Sequence, residues 1–224
     1  MSKSHLACFV KTPDLSPVKT RLAADIGTEE ATRFYHRSVD AVRQLFDSLN
    51  QETTCTWAVA ESDGLAHPLW VGYPVLSQGV GGLGDRLAWV HQQQRKLAGL
   101  TLMIGSDAPQ VSAELIRQTV QVLSVSDVVF GRAADGGFWI VGSRISIPDS
   151  VWKSVIYSDS ATMRSLVDAI IGWKPAVTID TDSLPVLTDV DTLVDLQILP
   201  SEMKHWNPAL LHEWKEDLIS WIGD

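Results

Sequence analysis

The alternation of strand-like and helix-like segments constrains the fold of this 224-residue chain more than any other feature of its sequence. Its clearest strand is the near-continuous apolar run from Leu100 to Ile104. Such a run is typical of a parallel strand that helices cover on both faces. Because strand and helix signals repeat along the chain, we expect an α/β fold, a three-layer sandwich with a mostly parallel sheet.

The individual segments follow from apolar periodicity and from turn residues. The predicted strands are residues 5–10, 54–60, 73–76, 100–104, 127–130, 138–141 and 176–179. Helices are predicted in a long segment that Thr28 can cap, from residue 81 towards 97, after Ser112, and over 160–171 and 192–199. Glu29 and Glu30 fall in the first turn of the helix after Thr28, in agreement with the helix dipole.

The length suits one domain, and the sequence has no interdomain linker and no internal repeat. We expect residues 1–200 to form that domain and residues 201–224 to add a C-terminal amphipathic helix. The apolar positions of this tail include Trp206, Trp214 and Trp221. The helix could cover the core of its own domain, which we favour, or form the contact of a homodimer.

Charge and composition exclude several classes of protein. The formal net charge of −9 argues against nucleic-acid and membrane-surface partners. No apolar run approaches the roughly 18 residues of a membrane span, and no signal peptide is evident. Cys8 and Cys55 lie in strand-like segments without metal or redox spacing, which predicts buried reduced thiols. We therefore expect a cytoplasmic protein.

The loop after the first strand carries a basic cluster that stands out in this acidic chain. Lys11, Lys19 and Arg21 lie between that strand and a predicted helix. In α/β folds such a loop presents cations and N–H groups to an anion, and phosphate is the obvious candidate. The alternative is a solvated charged surface. The loop lacks the glycines of a P-loop, so it does not predict that phosphate-binding geometry.

Carboxylates follow the apolar strand and recur near the end of the predicted sheet. Asp107 comes just after the strand, where it could bind Mg²⁺ or could cap the turn before Pro109. Five aspartates and no basic residue occur between residues 180 and 195. Such carboxylates either face water or gather around a cation. Asp189 or Asp191 is thus a candidate second metal ligand opposite Asp107, or one of them caps the following helix.

The segment Asp135–Phe138 contains paired glycines before a predicted strand. Glycines of this kind allow positive φ and a close approach of the backbone to a ligand, although a simple hairpin turn has the same pattern. The Gly82-Leu83-Gly84 segment does not complete a dinucleotide fingerprint. The six dispersed histidines indicate neither a zinc site nor a Ser-His-Asp triad.

Taken in order, these motifs resemble the DUF2064 family, glycosyltransferase-like proteins also called radical-SAM/selenodomain-associated transferase 1. The motifs are Phe9–Pro13 with Val18–Leu22, Gly82–Arg86, Gly105–Pro109, Asp135–Phe138 and Asp189–Thr192. The family is related to the 2-phospho-lactate guanylyltransferases and more distantly to the molybdenum-cofactor guanylyltransferases. The resemblance covers residues 5–199 and implies a Rossmann-like GT-A fold, the fold of nucleotide-diphospho-sugar transferases.

The resemblance also implies roles for particular residues. The expected nucleotide-binding residues are Lys11, Thr12, Pro13, Ser16, Lys19, Thr20, Arg21, Gly84, Asp85, Arg86 and Ser106. Asp107 is expected to bind Mg²⁺ or Mn²⁺ together with Asp191 or Asp189. Lys19, Arg21 and Asp107 are the expected catalytic residues, because they would stabilise charge on phosphate oxygens and hold the metal. The acceptor is expected at Asp135, Gly136, Gly137 and Phe138.

The sequence thus predicts a metal-dependent transferase with a nucleotide or nucleotide-sugar donor and a small-molecule acceptor. We expect nucleotidyl transfer to a phosphorylated or hydroxyl acceptor, because Val18–Leu22 is similar to the corresponding guanylyltransferase segment. The alternatives are glycosyl transfer from a nucleotide sugar and nucleotide binding without catalysis. Ser16 stands where the family usually has Gly, and Tyr157-Ser158-Asp159 stands where Trp-Ser-Thr is usual.

Overall fold

The computed structural model describes residues 4–49, 51–203 and 208–222, without the side chains of residues 208–213. The strands are β1 (Ser4–Val10), β2 (Thr53–Val59), β3 (Val75–Ser77), β4 (Leu100–Gly105), β5 (Val128–Arg132), β6 (Phe138–Ser143) and β7 (Ile179–Asp180). They form a seven-stranded sheet in the order β3-β2-β1-β4-β6-β5-β7. Every neighbouring pair is parallel except the two pairs that involve β6. The predicted α/β fold with a mostly parallel sheet is confirmed.

Helices lie on both faces of the sheet. They are α1 (Thr20–Ile26), α2 (Thr28–Leu49), α3 (Leu83–Leu97), α4 (Ala113–Val122), α5 (Asp149–Lys153), α6 (Thr162–Trp173), α7 (Leu193–Glu202) and α8 (Pro208–Ile222). Phe46 of α2 and Ile116 of α4 belong to one buried cluster, whereas Val90 of α3 and Leu166 of α6 belong to another. These two clusters separate three layers, as the alternating pattern predicts.

The central strands show why the apolar runs occur. In β4, Leu102 and Ile104 pack into one cluster, whereas Met103 between them packs into the other. A strand buried on both faces needs apolar residues at successive positions, not at alternating ones. Cys8 and Cys55 are buried free thiols, as predicted. Burial raises the pKa of the Cys55 thiol to about 12.

Three features of the fold differ from the sequence-based expectations. Strand β6 is antiparallel to its neighbours, because the turn between β5 and β6 reverses the chain at Gly136, whose φ is +92°. Two helices follow the basic loop, α1 and α2, with a break at Gly27 (φ +89°). Helix α5 was not expected, and β7 has two residues where the pattern predicts strand over 176–179.

The C-terminal tail contains a helix that packs on the same chain. Trp214 and Trp221 of α8 are buried, and their rings lie 5.9 and 5.6 Å from the ring of Phe34 in α2. Trp206 lies outside the described residues. Helix α7 runs across residue 200, and the division of the chain there stays a prediction. Among the described residues, no helix has the length and apolar character that a bilayer crossing requires.

Candidate active site

A cleft of about 720 Å³ opens at the carboxyl ends of the parallel strands. Its floor includes the ends of β1 and β4, which are adjacent although the chain runs from β1 to β2 on the other side. This is the switch point where open α/β sheets bind their ligands. The loop after β1, the start of α3, the β5–β6 turn and the segment before α7 form the walls.

The charged residues that line the cleft divide by sign. The carboxylates are Asp107, Asp135, Asp159, Asp189 and Asp191, which we call the carboxylate half. The cations Lys11, Arg21 and Arg86, from the β1 loop, α1 and α3, form the cationic half. A fourth cation, Lys19, reaches into the carboxylate half. The cleft therefore offers cations to an anionic ligand and carboxylates to a cation or to hydrogen-bond donors.

Lys19 forms the most extensive polar contact in the cleft. Its Nζ lies 2.5 Å from Asp107 Oδ1 and 3.3 Å from Asp191 Oδ1, and it donates to the carbonyl oxygen of Val190 at 2.5 Å. Only 3% of the side chain is exposed. Burial alone would lower the pKa of Lys19, but the charges of Asp107 and Asp191 outweigh burial and raise it. Lys19 is thus a buried ammonium ion between two carboxylates.

Backbone contacts explain how distant segments meet at Lys19. The Val190 N–H donates to the carbonyl oxygen of Asp107 at 2.9 Å, which fixes the segment before α7 against the loop after β4. Lys19 itself has a left-handed backbone, with φ 48°, immediately before α1. The structure therefore brings together Lys19, Asp107, Asp189 and Asp191, as the proposed phosphate and metal sites require.

Asp189 faces uncompensated negative charge. No ion pair or hydrogen bond of its side chain occurs within the described part of the chain. Burial, followed by the charges of Asp107, Asp135 and Asp191, raises the pKa of Asp189 to about 7, although the charge of Lys19 opposes this rise. The carboxylate half therefore holds more negative charge than Lys19 neutralises.

The cationic half contains two cations without a carboxylate partner. Neither Lys11 nor Arg86 forms an ion pair with any residue that the structure describes. The Arg86 guanidinium donates to the carbonyl of Gly81 at 3.1 Å and to Oε1 of Gln78 at 3.4 Å, which fixes its direction. Arg21 is exposed and lies 3.7 Å from Asp191. Lys11 and Arg86 are thus free to bind an anion.

Sequence reasoning missed the supporting residues Gln78 and Tyr35. The amide of Gln78 donates to the carbonyl oxygens of Val10 and Ala58, at the ends of β1 and β2. The Tyr35 hydroxyl accepts the N–H of Lys11 and donates to its carbonyl oxygen. The only sequence signal for Gln78 is a polar residue two positions after the predicted strand 73–76. The sequence gives no signal for Tyr35.

Some residues of the predicted nucleotide-binding and acceptor-binding sets do not line the cleft. Among the expected contacts, those outside its walls are Thr12, Pro13, Ser16, Gly84, Asp85 and Gly136. Thr12 is fully buried, its N–H donates to Glu61, and its carbonyl oxygen accepts the N–H of Ser16. These contacts shape the loop that carries Lys11 and Lys19, so Thr12 and Ser16 position the loop.

Gly84 and Asp85 have packing and capping contacts at the start of α3. A Cβ on Gly84 would lie 2.6 Å from the carbonyl oxygen of Trp152, so this glycine allows α3 and α5 to approach closely. Asp85 accepts the N–H of Gly82 as a helix cap and pairs with Lys153 at 3.1 Å. Arg86, the next residue, is the member of this motif that lines the cleft.

The β5–β6 turn brings Asp135, Gly137 and Phe138 to the cleft wall. A Cβ on Gly136 would lie only 1.9 Å from the carbonyl oxygen of Ser160, so glycine is required where the turn meets the segment before α6. Asp159 belongs to that segment and accepts the N–H of Ala161. Sequence analysis noted Asp159 only as a departure from the family pattern, yet it lines the cleft.

The carboxylates have the right chemistry for a hard divalent cation. Mg²⁺ and Mn²⁺ prefer oxygen ligands, and Mg²⁺ is usually held by one or two carboxylates together with phosphate oxygens and water. Asp107 and Asp191 already share one cation, the ammonium of Lys19. Within the described ranges, no three His, Cys, Asp or Glu side chains form a ready-made metal cage. The donor set fits a metal that a ligand phosphate helps to hold.

Comparison with protein families gives a match to DUF2064, described as an uncharacterized protein conserved in bacteria, over residues 37–159. No curated protein matches the chain. One solved structure, a candidate nucleotide-diphospho-sugar transferase from Desulfovibrio desulfuricans G20, is 25% identical with a TM-score of 0.81. The match covers 99% of both chains.

More distant structures share the fold. A cytidylyltransferase from Leptospira borgpetersenii is 14% identical, with a TM-score of 0.53 and coverage of 100% of this chain and 98% of the other. Glucosyl-3-phosphoglycerate synthase from Mycobacterium tuberculosis, solved with Mn²⁺, uridine diphosphate and phosphoglyceric acid, is 11% identical, with a TM-score of 0.51 and coverage of 99% and 79%. The fold is that of nucleotidyl- and glycosyltransferases of GT-A type.

Proposed function

The chain belongs to the DUF2064 family, as its motifs predict, and we propose that it is a metal-dependent transferase with a nucleotide or nucleotide-sugar donor. The observation that carries this proposal is the divided cleft. Two unpaired cations, Lys11 and Arg86, line the same cleft as a group of aspartates at the switch point of a GT-A-type sheet. The cations can bind the negatively charged phosphates of such a donor. The aspartates can hold the divalent cation that accompanies those phosphates.

The donor phosphates would bind in the cationic half. Lys11 and Arg86 need not break an ion pair to accept an anion, and Gln78 already orients the Arg86 guanidinium. Arg21 would add a third positive charge at the exposed edge. Charge-assisted hydrogen bonds of this kind are stronger than neutral ones. These side chains would orient the donor and stabilise the charge that develops on its phosphate oxygens.

Asp107 and Asp191 would hold Mg²⁺ or Mn²⁺. When bound, such an ion supplies Lewis-acid stabilisation of the leaving phosphate group. The hydrogen bond between Val190 and Asp107 keeps the two ligand-bearing segments together before any ligand binds. The Mn²⁺ and uridine diphosphate in the glucosyl-3-phosphoglycerate synthase structure support this expectation by analogy of fold.

The acceptor would bind in the carboxylate half, beside Asp135 and Asp159. Neither carboxylate has a cationic partner among the described residues, so both can accept hydrogen bonds from hydroxyl groups. The same charges repel a phosphate monoester. Asp189, whose pKa is raised to about 7, is the candidate base for the acceptor proton. A hydroxyl acceptor therefore fits this half better than a phosphorylated one.

Glycosyl transfer from a nucleotide sugar is the reaction that these features support best. The carboxylate half suits sugar hydroxyls, and the structure from Desulfovibrio desulfuricans is described as a candidate nucleotide-diphospho-sugar transferase. Nucleotidyl transfer, which the sequence favours, is the second candidate because of the Val18–Leu22 segment. The two reactions differ in their products, a nucleoside diphosphate in the first and pyrophosphate in the second.

Thermal unfolding with a panel of nucleoside triphosphates, diphosphates and nucleotide sugars, each with Mn²⁺ or with EDTA, is the first test. A donor at about 100 times its Kd should stabilise the fold by about 2.7 kcal/mol, and only when the metal is present. Lys153→Met, outside the cleft, should respond as the wild type does. The responding donor is then incubated with hydroxyl acceptors, and the released product identifies the reaction. A chain that no nucleotide stabilises would contradict the proposal.

A further inference from the structure

All three N–H groups of the Lys19 ammonium have acceptors. These acceptors are Asp107 Oδ1, Asp191 Oδ1 and the carbonyl oxygen of Val190. A lysine ammonium has three donors and no more, so none is left for a phosphate oxygen. Lys19 can therefore bind a phosphate, as the sequence predicts, only after it leaves at least one of these acceptors.

A second lysine shows that this arrangement is unusual within the molecule. Lys153 also lies between two aspartates, 3.1 Å from Asp85 and 3.9 Å from Asp149. The four carboxylates are similarly exposed, but 47% of the Lys153 side chain is exposed and only 3% of the Lys19 side chain. A buried pair interacts far more strongly than an exposed one, and losing one partner is costly.

The backbone and an aromatic ring hold Lys19 in place. Its φ of 48° is left-handed, a conformation that costs a residue with a Cβ on the order of 1 kcal/mol. The ring of Phe34 lies 5.8 Å from its Nζ. The strained residue is the one whose side chain places a positive charge among the carboxylates. Backbone outliers of this kind cluster at functional sites.

A divalent cation held by Asp107 and Asp191 would bind the same two carboxylates whose Oδ1 atoms Lys19 contacts. Two positive charges cannot share this position without strong repulsion. Building on the proposed metal site, we infer that Lys19 is a built-in competitor of the divalent cation, which must displace the ammonium to bind. The displaced ammonium is then free to bind a donor phosphate, so metal binding prepares the site for the donor.

Mn²⁺ binding to the full chain without nucleotide tests this inference. Free Mn²⁺ is measured by electron paramagnetic resonance for the wild type, Lys19→Met and Lys153→Met. Removing the competing charge should tighten Mn²⁺ binding by about tenfold or more in Lys19→Met. Lys153→Met should stay within about twofold of the wild type, because its exposed pair contributes little. Equal or weaker binding by Lys19→Met would overturn the inference.

A measurement on the wild type makes the test independent of whether Lys19→Met folds. The buried ammonium of Lys19 should give a protected ¹H–¹⁵N signal, which Lys19→Arg would assign by its loss. Adding diamagnetic Mg²⁺ should shift or abolish that signal as the ammonium leaves the carboxylates. Mg²⁺ binding with an unchanged signal would overturn the inference.

The outcomes also separate this inference from the proposed function. If Mn²⁺ and nucleotides bind but Lys19→Met gains no affinity for Mn²⁺, the competitor role fails and the proposed function stands. If neither the wild type nor the variants bind Mn²⁺, even with nucleotides present, the proposed metal site fails and the competitor role fails with it.

Discussion

The two halves of the cleft differ in how ready they are for a ligand. In the cationic half, Lys11 and Arg86 have no carboxylate partner within the described residues and can bind an anion without breaking an ion pair. In the carboxylate half, Lys19 is buried against Asp107 and Asp191, and the charges of Asp107, Asp135 and Asp191 act on Asp189. The cationic half is ready for an anion, whereas the carboxylate half needs a bound cation to offset its negative charge. Metal binding must therefore rearrange the contacts of the carboxylate half, whereas a donor phosphate can bind in the cationic half without such a rearrangement.

Asp107→Asn, in the carboxylate half, should lower turnover more than any of the other substitutions. Loss of one carboxylate removes a metal ligand and the stabilisation of leaving-group charge, so turnover should fall about 10²- to 10³-fold. Steady-state kinetics at saturating donor and Mn²⁺ measures this loss. Asp149→Asn, at a similarly exposed position outside the cleft, is the control. Turnover of Asp107→Asn within threefold of the wild type would show that the reaction does not need this carboxylate.

Asp189 should make stability depend on pH. Its pKa is raised from 3.8 to about 7, first by burial and then by neighbouring carboxylates. The folded state binds this proton more tightly than the unfolded chain does, so the stabilisation is complete below about pH 4 and is lost as pH rises through about 7.

Asp189→Asn should therefore match the wild type near pH 4 and be more stable at pH 8, by about 2 kcal/mol after allowance for solvent in the cleft. Urea unfolding at both pH values, without divalent metal, measures the difference. A stability difference that is the same at both pH values would show that the carboxylate half is not strained by its charge.

The smallest expected effect is that of Arg86→Gln in the cationic half. Loss of one charge-assisted contact should weaken donor binding by about tenfold and leave Mn²⁺ binding in the absence of nucleotide unchanged. Isothermal titration calorimetry with the donor and with Mn²⁺ measures both. Arg117→Gln, which removes a surface arginine paired with Glu52, is the control. A change in Mn²⁺ affinity would mean that the two halves are not separate.

The central strands could be predicted because a strand that is buried on both faces has a run of consecutive apolar residues. The predicted strands 5–10, 54–60 and 100–104 lie within one residue of β1, β2 and β4 at each end. The antiparallel direction of β6 could not be predicted in this way, because an apolar segment has no direction. Helix α5 has five residues, which is too short for a helical period to appear.

The sequence predicts several residues that line the site, but it does not predict which contacts these residues make. Lys11 stands directly after β1 and Asp107 two residues after β4, positions where charge in an α/β chain indicates a ligand site. No local pattern indicates that Lys19 binds Asp107 and Asp191. Likewise, a short glycine motif does not reveal whether Gly84 meets a ligand or, as found, the backbone of Trp152. Contacts between distant segments depend on the complete fold.

Lys19 and Asp191 are separated by 172 positions along the chain. During synthesis, strands β1, β2 and β3 and the helices between them are available for folding early, whereas residue 191 leaves the ribosome much later. Until then, Lys19 has neither Asp191 nor the Val190 carbonyl to contact, and a nascent chain lacks one of the two aspartates proposed to hold the metal. Domains that depend on such distant contacts fold late and slowly. Only chains translated past residue 191 can therefore assemble the cleft.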